Sequence, residues 1–261
     1  MHMSDALLSP VVGTAMCAIS TAVIAYSIKK NKSSEKKVPM MGVMGAFVFA
    51  AQMLNFTIPA TGSSGHITGG ILLAAMIGAF PALLSMSAVL IIQCLFFADG
   101  GLLALGCNIF NIGVVPCLIV YPLIFKPFIK KNITIGKITT ASIFAAVIGL
   151  QLGAFCVVLE THLSGVAELP FSAFVVLMQP IHLAIGFVEG LVTAAILGFV
   201  YKMRPEIMEF VLSRNAIKSN AHRKAIIAFA VISLFVGGVL SQFASSNPDG
   251  LEWSIEKVTG D

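Results

Sequence analysis

A free amine at Met1, the peptide nitrogen of His2 and the His2 imidazole present three nitrogens in covalent succession that can close on one metal ion. The amine and the peptide nitrogen form a five-membered chelate ring. The peptide nitrogen and the imidazole form a six-membered one. A second imidazole, His66, lies in the glycine-rich run Ala60-Thr61-Gly62-Ser63-Ser64-Gly65-His66-Ile67-Thr68-Gly69-Gly70 and would complete a square plane. Planar nitrogen coordination suits Ni(II) or Cu(II), and low-spin Co(II) also meets it. This chemistry needs Met1 as the true terminus, and the bulk of His2 disfavours removal of the methionine. The competing reading makes His2 a solvated end of the chain and His66 a solvated loop histidine, since termini are commonly loosely held.

Polar residues within apolar stretches form two further groups, and such residues tend to be functional because hydrocarbon penalises them. Asp99-Gly100-Gly101 precedes Asn108 and Asn111, which share one helix face at a spacing of three. With Gln93, they would either order the N-terminal tail and the surroundings of a metal or hydrogen-bond neighbouring spans together. The other group is His182, Gly186, Glu189 and Thr193, on one helical stripe. Roughly 10 Å of helix rise separates His182 from Glu189, too far for joint chelation. Glu189 reads as a proton relay, a step in an ion path or a buried partner that locks helices. The pairs Gly149/Gly153 and Gly186/Gly190 are GxxxG patterns that permit close helix contact. The five cysteines show no ligand spacing and read as small packing residues.

Spans of a membrane protein must position these groups. The chain is 57% hydrophobic and 11% charged, against roughly 25% charged in a soluble domain, with a mean hydropathy of +0.96. Met1 to Pro10 lacks the basic region of a secretory signal, so the first apolar run is expected to be retained. Apolar segments fall at about 10–28, 39–55, 67–82, 83–98, 106–126, 137–160, 171–201 and 225–243. Pro180 is expected to kink the seventh. Lys29, Lys30, Lys32, Lys36 and Lys37 follow the first span; Lys126, Lys130, Lys131 and Lys137 follow the fifth; Lys202, Arg204, Arg214, Lys218, Arg223 and Lys224 follow the seventh. These are 15 of the 16 Lys and Arg residues, and eight spans would place them all on one side. By the positive-inside rule that side is cytoplasmic and both termini are extracytoplasmic. The outer rim is then acidic, with Asp5, Asp99, Glu160, Glu168, Asp249, Glu252, Glu256 and Asp261. His2 and His66 fall on this side. No GxxxxGK[ST], HExxH, CxxC or GxSxG pattern occurs, so neither ATP hydrolysis by a P-loop nor the corresponding metalloprotease, redox or serine-hydrolase chemistry is expected.

Taken in order, Met1-His2-Met3-Ser4-Asp5-Ala6-Leu7, Ser64-Gly65-His66-Ile67-Thr68-Gly69-Gly70, Asp99-Gly100-Gly101, Asn108-Ile109-Phe110-Asn111-Ile112-Gly113-Val114-Val115 and His182-Leu183-Ala184-Ile185-Gly186-Phe187-Val188-Glu189-Gly190 resemble the M subunit (CbiM/NikM type) of energy-coupling factor transporters for cobalt and nickel. The resemblance covers about residues 1–205. It implies an all-α integral membrane fold, a seven-helix bundle like that of S components. It also implies a metal site made by the Met1 amine, the His2 peptide nitrogen, the His2 side chain and His66. The implied partners are a transmembrane coupling subunit and two cytoplasmic ATPase subunits, with a separate small N-type subunit as a further option; no nucleic acid is implied. The implied cellular link is cobalamin biosynthesis.

A second resemblance covers Asn247-Pro248-Asp249-Gly250-Leu251-Glu252-Trp253 and the span before it, which look like the start of the small N component of the same systems. That component usually has two spans, and this chain stops after one.

The expected organisation is a metal-binding membrane domain over 1–205, a cytoplasmic linker over 206–224 and a partial N-component-like segment over 225–261. One extra C-terminal transmembrane helix would thus follow the seven-helix bundle. The expected function is capture of Ni(II) or Co(II), as transported substrate, by a non-enzymatic multi-pass subunit of an ATP-driven importer in the plasma membrane. The alternative is a stand-alone secondary transporter or channel for divalent metal that uses His182 and Glu189.

Overall fold

A computed structural model describes residues 1–31, 38–59, 61–208 and 219–260, with the backbone alone for 219–224. Lys32, Lys36, Lys37, Arg214, Lys218 and Asp261 lie outside the described residues, as does most of the expected linker. Helix α1 (Pro10–Lys30) begins where Ser9 accepts from the Val12 amide and Pro10 presets the first helical φ. Its last turn carries Lys29 and Lys30, whose charge suits the carbonyl end of a helix. After α2 (Val38–Gln52) comes a small antiparallel hairpin, β1 (Phe56–Thr57) with β2 (Ser64–Gly65), in the register Phe56–Gly65 and Thr57–Ser64. Then follow α3 (Gly70–Ile77) and α4 (Ala79–Phe97).

Helix α5 (Leu105–Lys130) is wound as a π-helix from Ile109 to Phe125. Pro116 and Pro122 lie inside that stretch; neither has an amide hydrogen, and the wider winding accommodates the ladder bonds they omit. Helices α6 (Ile135–Ser164) and α7 (Phe171–Met203) follow, and Pro180 sits within the unbroken span of α7. Helix α8 (Ser219–Gly238) runs on through a tight turn at Leu240–Phe243. Helix α9 (Gly250–Thr259) starts with a reciprocal cap: Asp249 accepts from the Leu251 and Glu252 amides, and Glu252 accepts from the Asp249 amide.

Among the described residues, six helices are long and apolar enough to cross a bilayer: α1, α4, α5, α6, α7 and the stretch Ala225–Phe243. The expected second segment forms the 15-residue α2, and the expected third contributes only the 8-residue α3. The break expected at 82/83 sits at Gly78, where φ is 93°. Glycine takes that angle without a side-chain clash and so ends one helix and begins the next. Pro81 instead falls in the first turn of α4, where a missing amide hydrogen omits no helical bond.

Helices α6 and α7 pack backbone to backbone. A Cβ at Gly186 would stand 2.9 Å from Val147 Cα, and one at Gly190 would stand 2.6 Å from Ile143 Cα, so only hydrogen fits between the two backbones. Gly190→Val is therefore expected to lower unfolding stability by about 1–3 kcal/mol, the usual cost of overpacking. Gly42→Ala, with nothing within 4 Å of its Cβ position, should lose nothing. Thermal unfolding of the two variants in the same detergent checks the contrast. In the C-terminal part, α8 packs on α2, with Phe229 edge-on to Phe47 at 5.3 Å, and α9 packs on α7.

Candidate metal centre

The N-terminal tail is threaded into the protein. Met1 is 5% exposed and Met3 is 0% exposed, unlike a solvated terminus. Asn108 holds Met3 by both backbone groups: its Oδ1 accepts from the Met3 amide at 2.8 Å and its Nδ2 donates to the Met3 carbonyl at 3.1 Å. The Gly101 amide donates to the same carbonyl at 3.0 Å. Two residues on, Asp5 accepts from the Ala104 amide at 3.0 Å. A Cβ at Gly101 would collide with Asp5, so Asp99-Gly100-Gly101 supplies backbone where any side chain would displace the tail.

Asn111 lies one turn beyond Asn108, donating to Glu160 at 2.7 Å with its amide 3.9 Å from the Met3 sulfur. Glu160 is thus buried instead of standing on an acidic rim. It uses a carboxylate to satisfy an amide that would otherwise be orphaned.

The loop that carries His66 is secured from three sides. Glu189 of α7, with no exposed surface, accepts from the Thr68 amide at 2.7 Å, the Thr68 hydroxyl at 2.9 Å and the Gly69 amide at 3.1 Å. Gln93 donates to Gln52 at 2.7 Å, and Gln52 donates to the Thr68 carbonyl at 2.8 Å. From the C-terminal segment, the Pro248 carbonyl accepts from the Ser64 amide at 2.8 Å, and Trp253 donates to the Thr61 carbonyl at 2.9 Å. Of the roles open to Glu189, the geometry matches a buried partner that locks elements together.

These supports bring the rings of His2 and His66 face to face, with centroids 5.2 Å apart and planes at 17°. His2 Nδ1 lies 3.4 Å from Asp99 Oδ1, the Met1 ammonium donates to Asp249 Oδ2 at 3.1 Å, and His66 Nε2 stands 4.0 Å from that same oxygen. His2 Nε2 and His66 Nδ1 are buried without a hydrogen-bond partner. Burial above all, and then the Met1 ammonium, lowers both imidazoles to about 3, so both rings are neutral donors at any physiological pH. Burial also pushes the Asp99 carboxyl up. It acts in the same direction on Asp249, but the Met1 ammonium, with the Glu252 amide, outweighs it and holds that carboxyl below its usual range.

His182 lies below, fully buried, with Nδ1 at 2.8 Å from the Met178 carbonyl. That contact makes Nδ1 the protonated nitrogen and leaves Nε2 a lone pair, unpartnered in the structure. A small cavity lined by Met1, His66, Thr68, His182 and Asp249 separates it from the tail. Glu189 does not join His182 there, since its oxygens are taken by Thr68 and Gly69.

Among the described residues, no three His, Cys, Asp or Glu side chains group as a ready-made metal site. Side chains alone are an incomplete count here, because two of the candidate donors are backbone nitrogens at Met1 and His2. Asp249 and Thr68 are the site residues that sequence reasoning missed. Asp249-Gly250-Leu251-Glu252 does signal a helix start, but nothing local announces that Asp249 meets residue 1.

The family model described as cobalt uptake substrate-specific transmembrane region, CbiM, matches residues 2–207. The chain belongs to the CbiM family. Behind the CbiM region, residues 223–261 match the PDGLE domain. A CbiM relative from Archaeoglobus fulgidus, named as a fused nickel transport protein (NikMN), is 33% identical over 209 residues, covering 80% of this chain and 68% of its own. One from Lactiplantibacillus plantarum, named as a fused nickel transport protein (LarMN), is 31% identical over 269 residues, covering 99% of this chain and 79% of its own. A solved structure titled as a transition metal transporter superposes with a TM-score of 0.69 at 28% identity, over 83% of this chain and 100% of that one. A helical, multi-pass membrane protein of a metal-transport family is thus the identity of this CbiM chain.

Proposed function

We propose that this chain is the metal-capturing membrane subunit of an ATP-driven importer. It binds external Ni(II) or Co(II) through the Met1 amine, the His2 peptide nitrogen, the His2 imidazole and His66. The observation that carries the reading is a buried terminus, 5% exposed at Met1, set against the stacked neutral imidazoles of His2 and His66, with ring centroids 5.2 Å apart. The six-membered chelate closes through His2 Nδ1, the nitrogen that stands 3.4 Å from Asp99. Asp99, Gln93, Asn108 and Asn111 shape the seat of the tail. The C-terminal part, residues 225–261, is an N-component-like segment joined to the 1–205 domain through 206–224.

The positions of the charges support one orientation. Lys29 and Lys30 end α1, Lys126 and Lys130 end α5, Lys137 opens α6 and Lys202 ends α7. Each lies at the helix end away from the tail, Asn108 and Glu160. The positive-inside rule then supports a site facing outward and both termini extracytoplasmic. A transmembrane coupling subunit and two cytoplasmic ATPases would supply the energy for release inward. The reading of a stand-alone carrier built on His182 and Glu189 lacks a supporting observation, because the Glu189 carboxylate is committed to the His66 loop.

Titration calorimetry on the purified chain with a native Met1 tests the ligand set. His2→Ala and His66→Ala should each weaken Ni(II) and Co(II) binding by more than about a hundredfold, as loss of a ligand from a four-donor site requires. Unchanged affinity in either variant would remove that residue from the site. In liposomes, uptake should appear only with the coupling and ATPase subunits present.

A further inference from the structure

The C-terminal segment brings one oxygen to the metal site. Asp249 divides its carboxylate between two tasks: Oδ1 caps α9 through the Leu251 and Glu252 amides at 2.8 and 2.9 Å, while Oδ2 faces the tail. Oδ2 lies 3.1 Å from the Met1 nitrogen and 4.0 Å from His66 Nε2, two of the four nitrogens in the plane proposed above. Metal bonds of about 2 Å meeting at right angles put neighbouring donors about 3 Å apart. An apical ligand would stand about 3 Å from each in-plane nitrogen; Oδ2 already meets that distance at the Met1 nitrogen and lies about 1 Å beyond it at His66 Nε2.

Asp249 is held in place from several directions. Pro248 is bonded to Ser64 at 2.8 Å, Trp253 to Thr61 at 2.9 Å and Ser64 Oγ to the Asn247 carbonyl at 2.8 Å. The His66 loop and the segment that carries Asp249 are therefore tied directly to one another. Gly250 leaves room beside them, since a Cβ there would stand 3.2 Å from His182 Cε1 and from Ile181.

The geometry points to Asp249 Oδ2 as a fifth, axial ligand, supplied by the C-terminal segment, that tunes the site toward Co(II). The inference rests on the planar chelate described under the proposed function. Its chemical basis is d-electron count. Low-spin Ni(II) has a filled orbital along the axis of the plane, so an axial carboxylate gains little there. Low-spin Co(II) has a single electron in that orbital and does take an axial donor. The carboxylate bonds the cobalt ion and leaves nickel planar, so the C-terminal segment is a selectivity element and not only a cover.

The test uses the full chain with a native Met1, loaded with Co(II) or Ni(II) alone. Asp249→Asn keeps an oxygen for the α9 cap, because Asn caps as well as Asp, and removes the carboxylate from the metal side. The expected result is about a tenfold loss of Co(II) affinity against less than about a twofold change for Ni(II). The electron paramagnetic resonance spectrum of bound Co(II) should change at the same time. Asp249→Ser, which also caps, should repeat both changes. Equal losses for the two metals would reduce Asp249 to a structural partner of the Met1 ammonium and overturn the inference, as would an unchanged cobalt spectrum. If His2→Ala still abolishes binding in that case, the planar chelate stands without its axial ligand. If His2→Ala binds normally, the chelate fails and the axial assignment falls with it.

Discussion

Placing two residues, Gly-Ser, ahead of Met1 is expected to abolish high-affinity Ni(II) and Co(II) binding, by about a thousandfold or more. Two effects add. An acylated nitrogen is no longer an amine ligand, so the five-membered ring loses its terminal donor. At about 3–4 kcal/mol per bond in a four-donor site, that loss alone corresponds to two to three decades in affinity. The extension also has no space: Met1 is 5% exposed, its ammonium is paired with Asp249 at 3.1 Å, and its side chain lies against Gly153. Added residues must pull the tail outward and disturb the Asn108 clamp on Met3. Calorimetry on extended and native protein, with folding checked by thermal unfolding, reads the difference. Binding equal to that of the native chain would exclude the amine as a ligand and move the search to His182.

Metal affinity is also expected to fall steeply on acidification, by about ten- to a hundredfold per pH unit through the mildly acid range, one decade for each proton displaced. The sign follows from which donors carry protons. His2 and His66 are lowered to about 3 by burial and the nearby ammonium, so above about pH 4 they bind metal without releasing a proton. The remaining donors, an ammonium and a peptide N–H, must each lose one. Metal binding therefore competes with protons at the backbone nitrogens, and lower pH favours the metal-free form. Affinity measured from mildly acid to mildly alkaline buffer, with proton release followed by changing the buffer, checks both slope and stoichiometry. A flat profile would rule out ligation by the His2 peptide nitrogen.

Much of this was legible in the residues and some of it was not. Close packing at Gly186 and Gly190 was readable because a GxxxG spacing marks one helix face whatever the partner is. The same locality made the tail readable, since Met1 and His2 are joined covalently. The boundary between α3 and α4 reads wrongly from sequence because Pro81 gives a louder local signal than Gly78, although proline is harmless in a first turn. Glu160 reads as part of an outer rim from its position at the end of an apolar run. Its amide partner, Asn111, comes from a different helix and leaves no trace in the run itself.

By itself the sequence determined that the chain is a membrane protein whose Lys and Arg residues cluster after a few of its apolar segments, and that the Met1 and His2 nitrogens stand in covalent succession with an imidazole. Those properties are sums over local composition or short covalent spacing, and they survive without knowledge of neighbours. Only the tertiary structure decided that the tail is buried, that Asn108 seats it, that Glu189 serves the Thr68 loop from 121 residues away, and that Asp249 meets Met1 across 248 residues. Such pairings have no sequence period. They form because buried polar groups must find partners, and which partner is within reach depends on how all the helices pack at once.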